Sequence, residues 1–196
     1  MTAEKNEKPD KTEKPTESEE EVFVATGVFQ NGRILVTGLG ASTLFNTGFY
    51  GRLKDKDTLI LSDVETTNLI ERKRLEVLNE ETGSTLTLQE VVNQFAKQNI
   101  KFWVNYLVYK DLRMRGYIVR IGFEDPFLFR VYPRGGQPGR DPAKLFVVPL
   151  PEGKQLALDT LDHLLKIALS ARKQLLLAVI DRSGDVTYYR AQEIDL

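Results

Sequence analysis

Leu175-Leu-Leu-Ala-Val-Ile180, followed by Asp181-Arg-Ser-Gly-Asp185 and then Val186-Thr-Tyr-Tyr189, is the stretch whose reading decides the fold. An unbroken apolar run leaves no polar alternation for a wet face, so 175–180 is expected as a buried central strand. Asp, Ser and Gly supply turn chemistry, and 186–189 returns as the antiparallel partner of a hairpin. Just upstream, residues 156–173 repeat apolar side chains at Leu158, Leu161, Leu165 and Ala168, a helical spacing. Helix, buried strand and hairpin in succession imply a mixed sheet flanked by helices.

Working back from there, strands are expected at 117–122, 127–132 and 145–148, with Phe127, Phe129 and Val131 facing a core. Strand alternation then turns Arg130 and Tyr132 the other way. The loop between the last two strands, Pro133-Arg-Gly-Gly-Gln-Pro-Gly-Arg-Asp-Pro142, carries Arg134 and Arg140. With Arg130, Lys110, Arg113 and Arg115 these suggest a basic surface for RNA phosphates. Residues 102–115 read as a helix closed by Gly116, and Thr87-Leu-Gln-Glu90 is a capping box opening another.

The N-terminal half has its own pattern. Residues 22–29 and 33–37 are β-branched and aromatic around Asn31-Gly32, the signature of a tight hairpin. Residues 38–51 hold four glycines and read as loop. The pair Gly38 and Gly40 lacks the third glycine and the lysine of a phosphate loop. A strand at 58–61, a capping box at Ser62-Asp-Val-Glu65 opening a helix to about residue 72, and a strand at 74–78 complete this half. The expectation is an α+β fold in two units joined near 98–101: a small N-terminal α+β domain at 21–98 and a C-terminal domain at 99–196.

Composition bounds the chemistry. The chain has 196 residues, no cysteine and one histidine, His163, inside the 156–173 helix. Disulfides, thiolate catalysis, Cys-ligated zinc and His-rich metal sites are excluded. No apolar run reaches the length of a membrane span, and no apolar stretch near the N-terminus reads as a secretory leader, so a cytoplasmic protein is expected. The formal net charge of −1 hides an asymmetry: residues 1–20 carry four Lys against seven acids and almost nothing apolar. Such a segment is expected to be a disordered, charged tail.

Five blocks then stand out in order and spacing: Tyr109-Lys-Asp-Leu-Arg-Met-Arg-Gly-Tyr117, Phe129-Arg-Val-Tyr132, Ser170-Ala-Arg-Lys173, Leu176-Leu-Ala-Val-Ile180-Asp, and Gly184-Asp-Val-Thr-Tyr-Tyr189. Together they resemble the archaeal tRNA-intron splicing endonucleases, and 59–77 resembles that family's N-terminal domain. The resemblance implies a C-terminal α/β nuclease-like domain and a metal-independent, cofactor-free RNA endonuclease. Such an enzyme cuts precursor tRNA at bulge-helix-bulge junctions and leaves 2′,3′-cyclic phosphate and 5′-hydroxyl ends. In the family a Tyr is the general base at the 2′-hydroxyl, a His protonates the leaving 5′-oxygen, and a Lys stabilises the transition state.

Tyr132 and Lys173 match the tyrosine and the lysine. The histidine position falls on Pro142, with Asp141 beside it, and His163 does not match the motif. The resemblance is therefore strongest to the non-catalytic, structural subunit of the crenarchaeal heterotetrameric form. It implies a catalytic subunit as partner, precursor tRNA as substrate, and a docking role for the acidic loop bearing Asp181 and Asp185. On that reading Tyr132 and Lys173 are vestigial. The alternatives are an active endonuclease using a substitute acid such as Asp141, and a non-enzymatic RNA-binding or scaffold protein.

Overall fold

The structure is a computed structural model that describes residues 23–122 and 129–194. The charged tail at 1–20 and the expected core residue Phe127 lie outside the described residues. Strands β1 (Ala25–Gln30) and β2 (Arg33–Thr37) form the first hairpin, with Asn31 and Gly32 both at positive φ, 49° and 74°. That is the backbone the Asn-Gly pair was expected to provide.

Residues 38–51 are not a loop. Helix α1 (Gly38–Gly48) occupies most of them, burying Ala41 and Leu44 against the sheet. Glycine opposes helix in isolation, but here packing overrides propensity. Gly40 lets the first turn approach β1 and β2: a Cβ there would lie 3.0 Å from Val36 and 3.2 Å from Ala25.

Short β3 (Arg52–Leu53) and β4 (Thr58–Leu61) follow, then α2 (Asp63–Glu71), β5 (Leu75–Asn79), β6 (Thr85–Leu86) and α3 (Leu88–Gln98). Both expected capping boxes are formed, Ser62 with Glu65 and Thr87 with Glu90. The first sheet has the order β3-β4-β2-β1-β5-β6, and β1 with β5 is its parallel pair.

The second sheet follows α4 (Phe102–Met114) and consists of β7 (Ile118–Ile121), β8 (Phe129–Tyr132), β9 (Leu145–Pro151), β10 (Gln174–Ile180) and β11 (Val186–Ala191), with α5 (Leu158–Ser170) between β9 and β10. Its order is β11-β10-β9-β8-β7, and β9 runs parallel to β10. The apolar run is thus one strand in from the edge, and β9 takes the centre. It is apolar throughout because both faces are covered. Leu176, Ala178 and Ile180 join the core under α4, whereas Leu175 and Leu177 pack with Phe146, Val148, Leu164 and Ala168 under α5. Leu158, expected on the buried stripe of α5, is instead exposed at its first turn.

The fold is therefore α+β, with two mixed sheets and five helices among the described residues. Its larger core is continuous across both halves: Phe102, Tyr106, Tyr109 and Leu112 of α4 join Leu69 and Val92 to Val119, Phe129, Val147 and Ala178. No described helix is long and apolar enough to cross a membrane.

Candidate functional site

The candidate site is built where three segments end at one edge of the second sheet. Val131, the penultimate residue of β8, accepts a hydrogen bond from the Lys144 N–H at 2.9 Å, just before β9. Lys144 in turn accepts from the Gln174 N–H at 3.1 Å, the first residue of β10. This ladder places Tyr132, the 141–144 segment and Lys173 on three neighbouring strands at the same end.

Each is oriented by local structure. Phe129 and Val131 enter the α4 core, so alternation turns Arg130 and Tyr132 toward the α5 face, as expected. Tyr132 is only 9% exposed. Lys173 follows the C-terminus of α5, where Arg172 takes a left-handed φ of 54° and the Lys173 N–H returns to the Ala168 carbonyl at 2.8 Å. This is a helix-terminating turn, with the cation beside free carbonyls. Lys173 Nζ donates to the Ala171 carbonyl at 3.1 Å and lies 5.6 Å from the centre of the Phe146 ring. Phe146 is the cross-strand partner of Arg130, which sets Lys173 on the Arg130 and Tyr132 face.

Asp141 and Pro142 are exposed at the mouth of this edge. The Asp141 carboxylate accepts the Gln137 N–H at 2.7 Å, and the Asp141 N–H donates to the Gln137 carbonyl at 2.8 Å. The carboxylate is thereby used to close the 137–141 turn. His163 is exposed on α5, whose inner face carries Leu164 and Ala168.

Each cation of the expected basic surface has a partner within the chain. Arg130 is half-buried and donates to the Ile121 carbonyl at 3.3 Å. Arg134 is exposed and lies 5.5 Å from the Tyr117 ring, and Arg140 donates to Gln137 Oε1 at 3.0 Å. Lys110 pairs with Glu71 at 2.7 Å, Arg115 with Asp111 at 2.7 Å, and Arg113 is turned inward against α1. Lys110 and Arg113 thus reach across to the first half, whereas Arg115 is exposed and paired within α4.

The β10–β11 turn is tightly built. Asp181 Oδ1 accepts the N–H groups of Ser183 at 2.8 Å and Asp185 at 2.9 Å. Asp181 and Asp185 are both exposed, but Asp181 spends one carboxylate oxygen on the turn itself. Behind it the Tyr188 hydroxyl donates to Asp111 on α4 at 2.7 Å, and burial together with that carboxylate raises the phenol well above its ordinary range.

Residues 25–92 match the tRNA intron endonuclease N-terminal domain, and residues 102–188 match the tRNA intron endonuclease catalytic C-terminal domain. A tRNA-splicing endonuclease of Thermococcus gammatolerans is 35% identical over 173 residues, which cover 87% of this chain and 96% of that protein. The chain belongs to the tRNA intron endonuclease family. Another tRNA-splicing endonuclease, from Methanosarcina mazei, is 39% identical over 157 residues, 80% of this chain but 43% of the relative. The chain thus spans under half the length of that relative and nearly all of the Thermococcus protein. A Methanothermobacter thermautotrophicus tRNA-splicing endonuclease is 33% identical over 149 residues, 76% of this chain and 85% of that protein.

Within this member of the tRNA intron endonuclease family, the sequence reading missed the cations that join the halves. Arg113 and Arg120 donate to the carbonyls of Gly48 and Phe49 at 3.2 and 2.9 Å. Their partners are backbone atoms more than sixty positions away, so no local spacing pointed to them.

Proposed function

We propose that this chain is a structural subunit of a tRNA-splicing endonuclease, contributing to excision of introns from precursor tRNA while a partner chain supplies the complete catalytic set. The observation that carries this reading is Pro142. It stands at the position that the family resemblance gives to the general-acid histidine, at the same sheet end as Tyr132 and Lys173. Proline has no side-chain proton to deliver.

The chemistry needs that proton. The 2′-oxygen, losing its proton to the tyrosine, attacks phosphorus and closes the cyclic phosphate. The 5′-oxygen then leaves and must gain a proton, and omission of a general acid costs about 10²–10⁴-fold. Asp141 is a poor substitute, since its carboxylate is engaged in accepting the Gln137 N–H that closes the 137–141 turn. His163 is on the exposed side of α5. Tyr132 and Lys173 on this reading support packing and the RNA, and the Asp185 end of the acidic turn docks on the catalytic partner.

The test is cleavage of a bulge-helix-bulge RNA by this chain alone, by a catalytic homologue alone, and by their mixture. Stimulation confined to the mixture is the expected result. Turnover by this chain alone, abolished by Asp141→Asn, overturns the structural-subunit reading.

A further inference from the structure

The first sheet buries one face and leaves the other open. Ile34, Val36, Leu59, Leu61 and Val77 are buried, whereas Arg33 and Arg52 on the opposite face are exposed and Leu35 and Ile60 are half-buried. Register aligns this face. Leu35 lies opposite Ile60 and Ile60 opposite Arg52, while Arg33 and Lys54 flank that row two residues along β2 and beyond β3.

A shallow depression of about 390 Å³ opens between Arg33 and Lys54, floored by Leu35 and Ile60. A larger cleft of about 640 Å³ adjoins it, sharing Arg33 and Ile60 and reaching Arg52. Among the described residues, none of Arg33, Arg52 and Lys54 forms an ion pair. The acids nearby are otherwise engaged or distant on the sheet. Asp55 accepts the Asp57 N–H, Glu65 and Asp63 in the cleft wall hold backbone amides, and Glu80 takes Gln30. Glu76 is on the same open face but on β5, two strands away from β2.

We propose that this open face is a surface for the RNA backbone, contacting phosphates of the precursor outside the reacting junction. The inference rests on the proposed function for the identity of the polyanion. Strand spacing and the two-residue offset set Arg33 and Arg52 about 12 Å apart and Arg52 and Lys54 about 7 Å apart. That spread exceeds the reach of one carboxylate and suits a regularly repeating anion. The aliphatic floor between the cations suits sugar edges, and exposed, unpaired Lys and Arg release phosphate counterions without breaking internal bonds.

The test is fluorescence anisotropy of a labelled bulge-helix-bulge RNA titrated with the full chain across a salt series. Arg33→Gln/Arg52→Gln/Lys54→Gln is expected to weaken binding on the order of 10-fold at 50 mM salt and to flatten the log K against log salt slope by about 2. An equal charge loss elsewhere, Lys73→Gln/Lys97→Gln/Lys154→Gln, is expected to change affinity less than about twofold. Glu76→Lys is expected to tighten binding. Equal losses in the two triple variants overturn the proposal. So does unchanged RNA affinity with loss of co-elution with a catalytic chain, which would make the face a site for an acidic protein. The readout is binding, not cleavage, so failure of the structural-subunit reading, seen as no stimulation in the mixture, is separately recognisable.

Discussion

The Arg113 guanidinium lies 4.2 Å from the centre of the Tyr50 ring while donating to the Gly48 carbonyl at 3.2 Å. Helix α1 ends with Phe49 at a left-handed φ of 54°, and its last carbonyls would carry partial negative charge into a buried seam. Arg113 from α4 and Arg120 from β7 satisfy them, so the second half of the chain caps a helix of the first. A desolvated cation–π contact is worth about 2 kcal/mol and a charged hydrogen bond a similar amount. Arg113→Met, which keeps the stem, is expected to destabilise the protein by about 2–3 kcal/mol in a denaturant titration. Lys is not an equivalent replacement, because its point charge cannot stack and donate together. A loss below about 0.5 kcal/mol would show that the seam is not held there.

Glu65 occupies a comparable position one helix later. It is 4% exposed, and its two oxygens accept the N–H groups of Gly51 at 2.9 Å and Ser62 at 3.0 Å, as well as the Ser62 hydroxyl. Removing an acceptor from buried donors costs about 1–3 kcal/mol each. Glu65→Ala is expected to lower stability by about 2–4 kcal/mol. Glu90→Ala removes the analogous capping box of α3, with Thr87 in place of a serine, at an exposed site and is expected to cost clearly less. Thermal melts of the two variants decide the ordering, and equality would mean that burial of Glu65 adds nothing.

Both capping boxes were legible in the sequence because Ser-x-x-Glu and Thr-x-x-Glu are local signals with a local consequence. The Asn31-Gly32 hairpin and the Gly116 helix end were legible for the same reason, each a short-range demand on φ. Helix α1 was not, since four glycines outvoted two core contacts that only the assembled sheet provides. The partners of the α4 cations were legible only in part. Lys110 and Arg113 meet Glu71 and the Gly48 carbonyl, both far away in sequence, whereas Arg115 pairs with Asp111 one helical turn back. Of the candidate site, alternation alone placed Tyr132 beside Arg130. Its convergence with Lys173 depended on a crossover from β9 through α5 to β10 that no local spacing encodes.

Alkaline conditions should expose the buried phenols. Burial chiefly, aided by nearby carboxylates, raises the Tyr188, Tyr106 and Tyr109 hydroxyls above the ordinary tyrosine value. The folded state then binds protons that the unfolded chain has already released. Stability from these groups is complete below about pH 10 and is lost as pH rises from there toward the folded values. Melting temperature is expected to be flat from pH 8 to 9.5 and to fall steeply by pH 11. Tyr188→Phe should show a shallower decline, and an identical decline would assign the effect to the other two phenols.

The β10–β11 turn separates two carboxylates that sequence alone treats as a pair. Asp181 organises the turn by accepting two N–H groups, whereas the Asp185 carboxylate is exposed and free of that duty. Asp181→Ala is expected to cost about 1 kcal/mol or slightly more, the usual magnitude for losing such a local side-chain acceptor, and to loosen protection of the Ser183 and Asp185 amides in hydrogen exchange. Asp185→Asn should leave the melting temperature within about one degree. If the turn docks on a catalytic partner, Asp185→Asn weakens co-elution on size-exclusion chromatography with its fold intact, whereas Asp181→Ala impairs it through the shape of the turn. Restoring an acceptor with Asp181→Asn should recover much of the stability without the charge. Co-elution unaffected by Asp185→Asn, Asp185→Lys and Asp181→Ala alike would remove this turn from the interface.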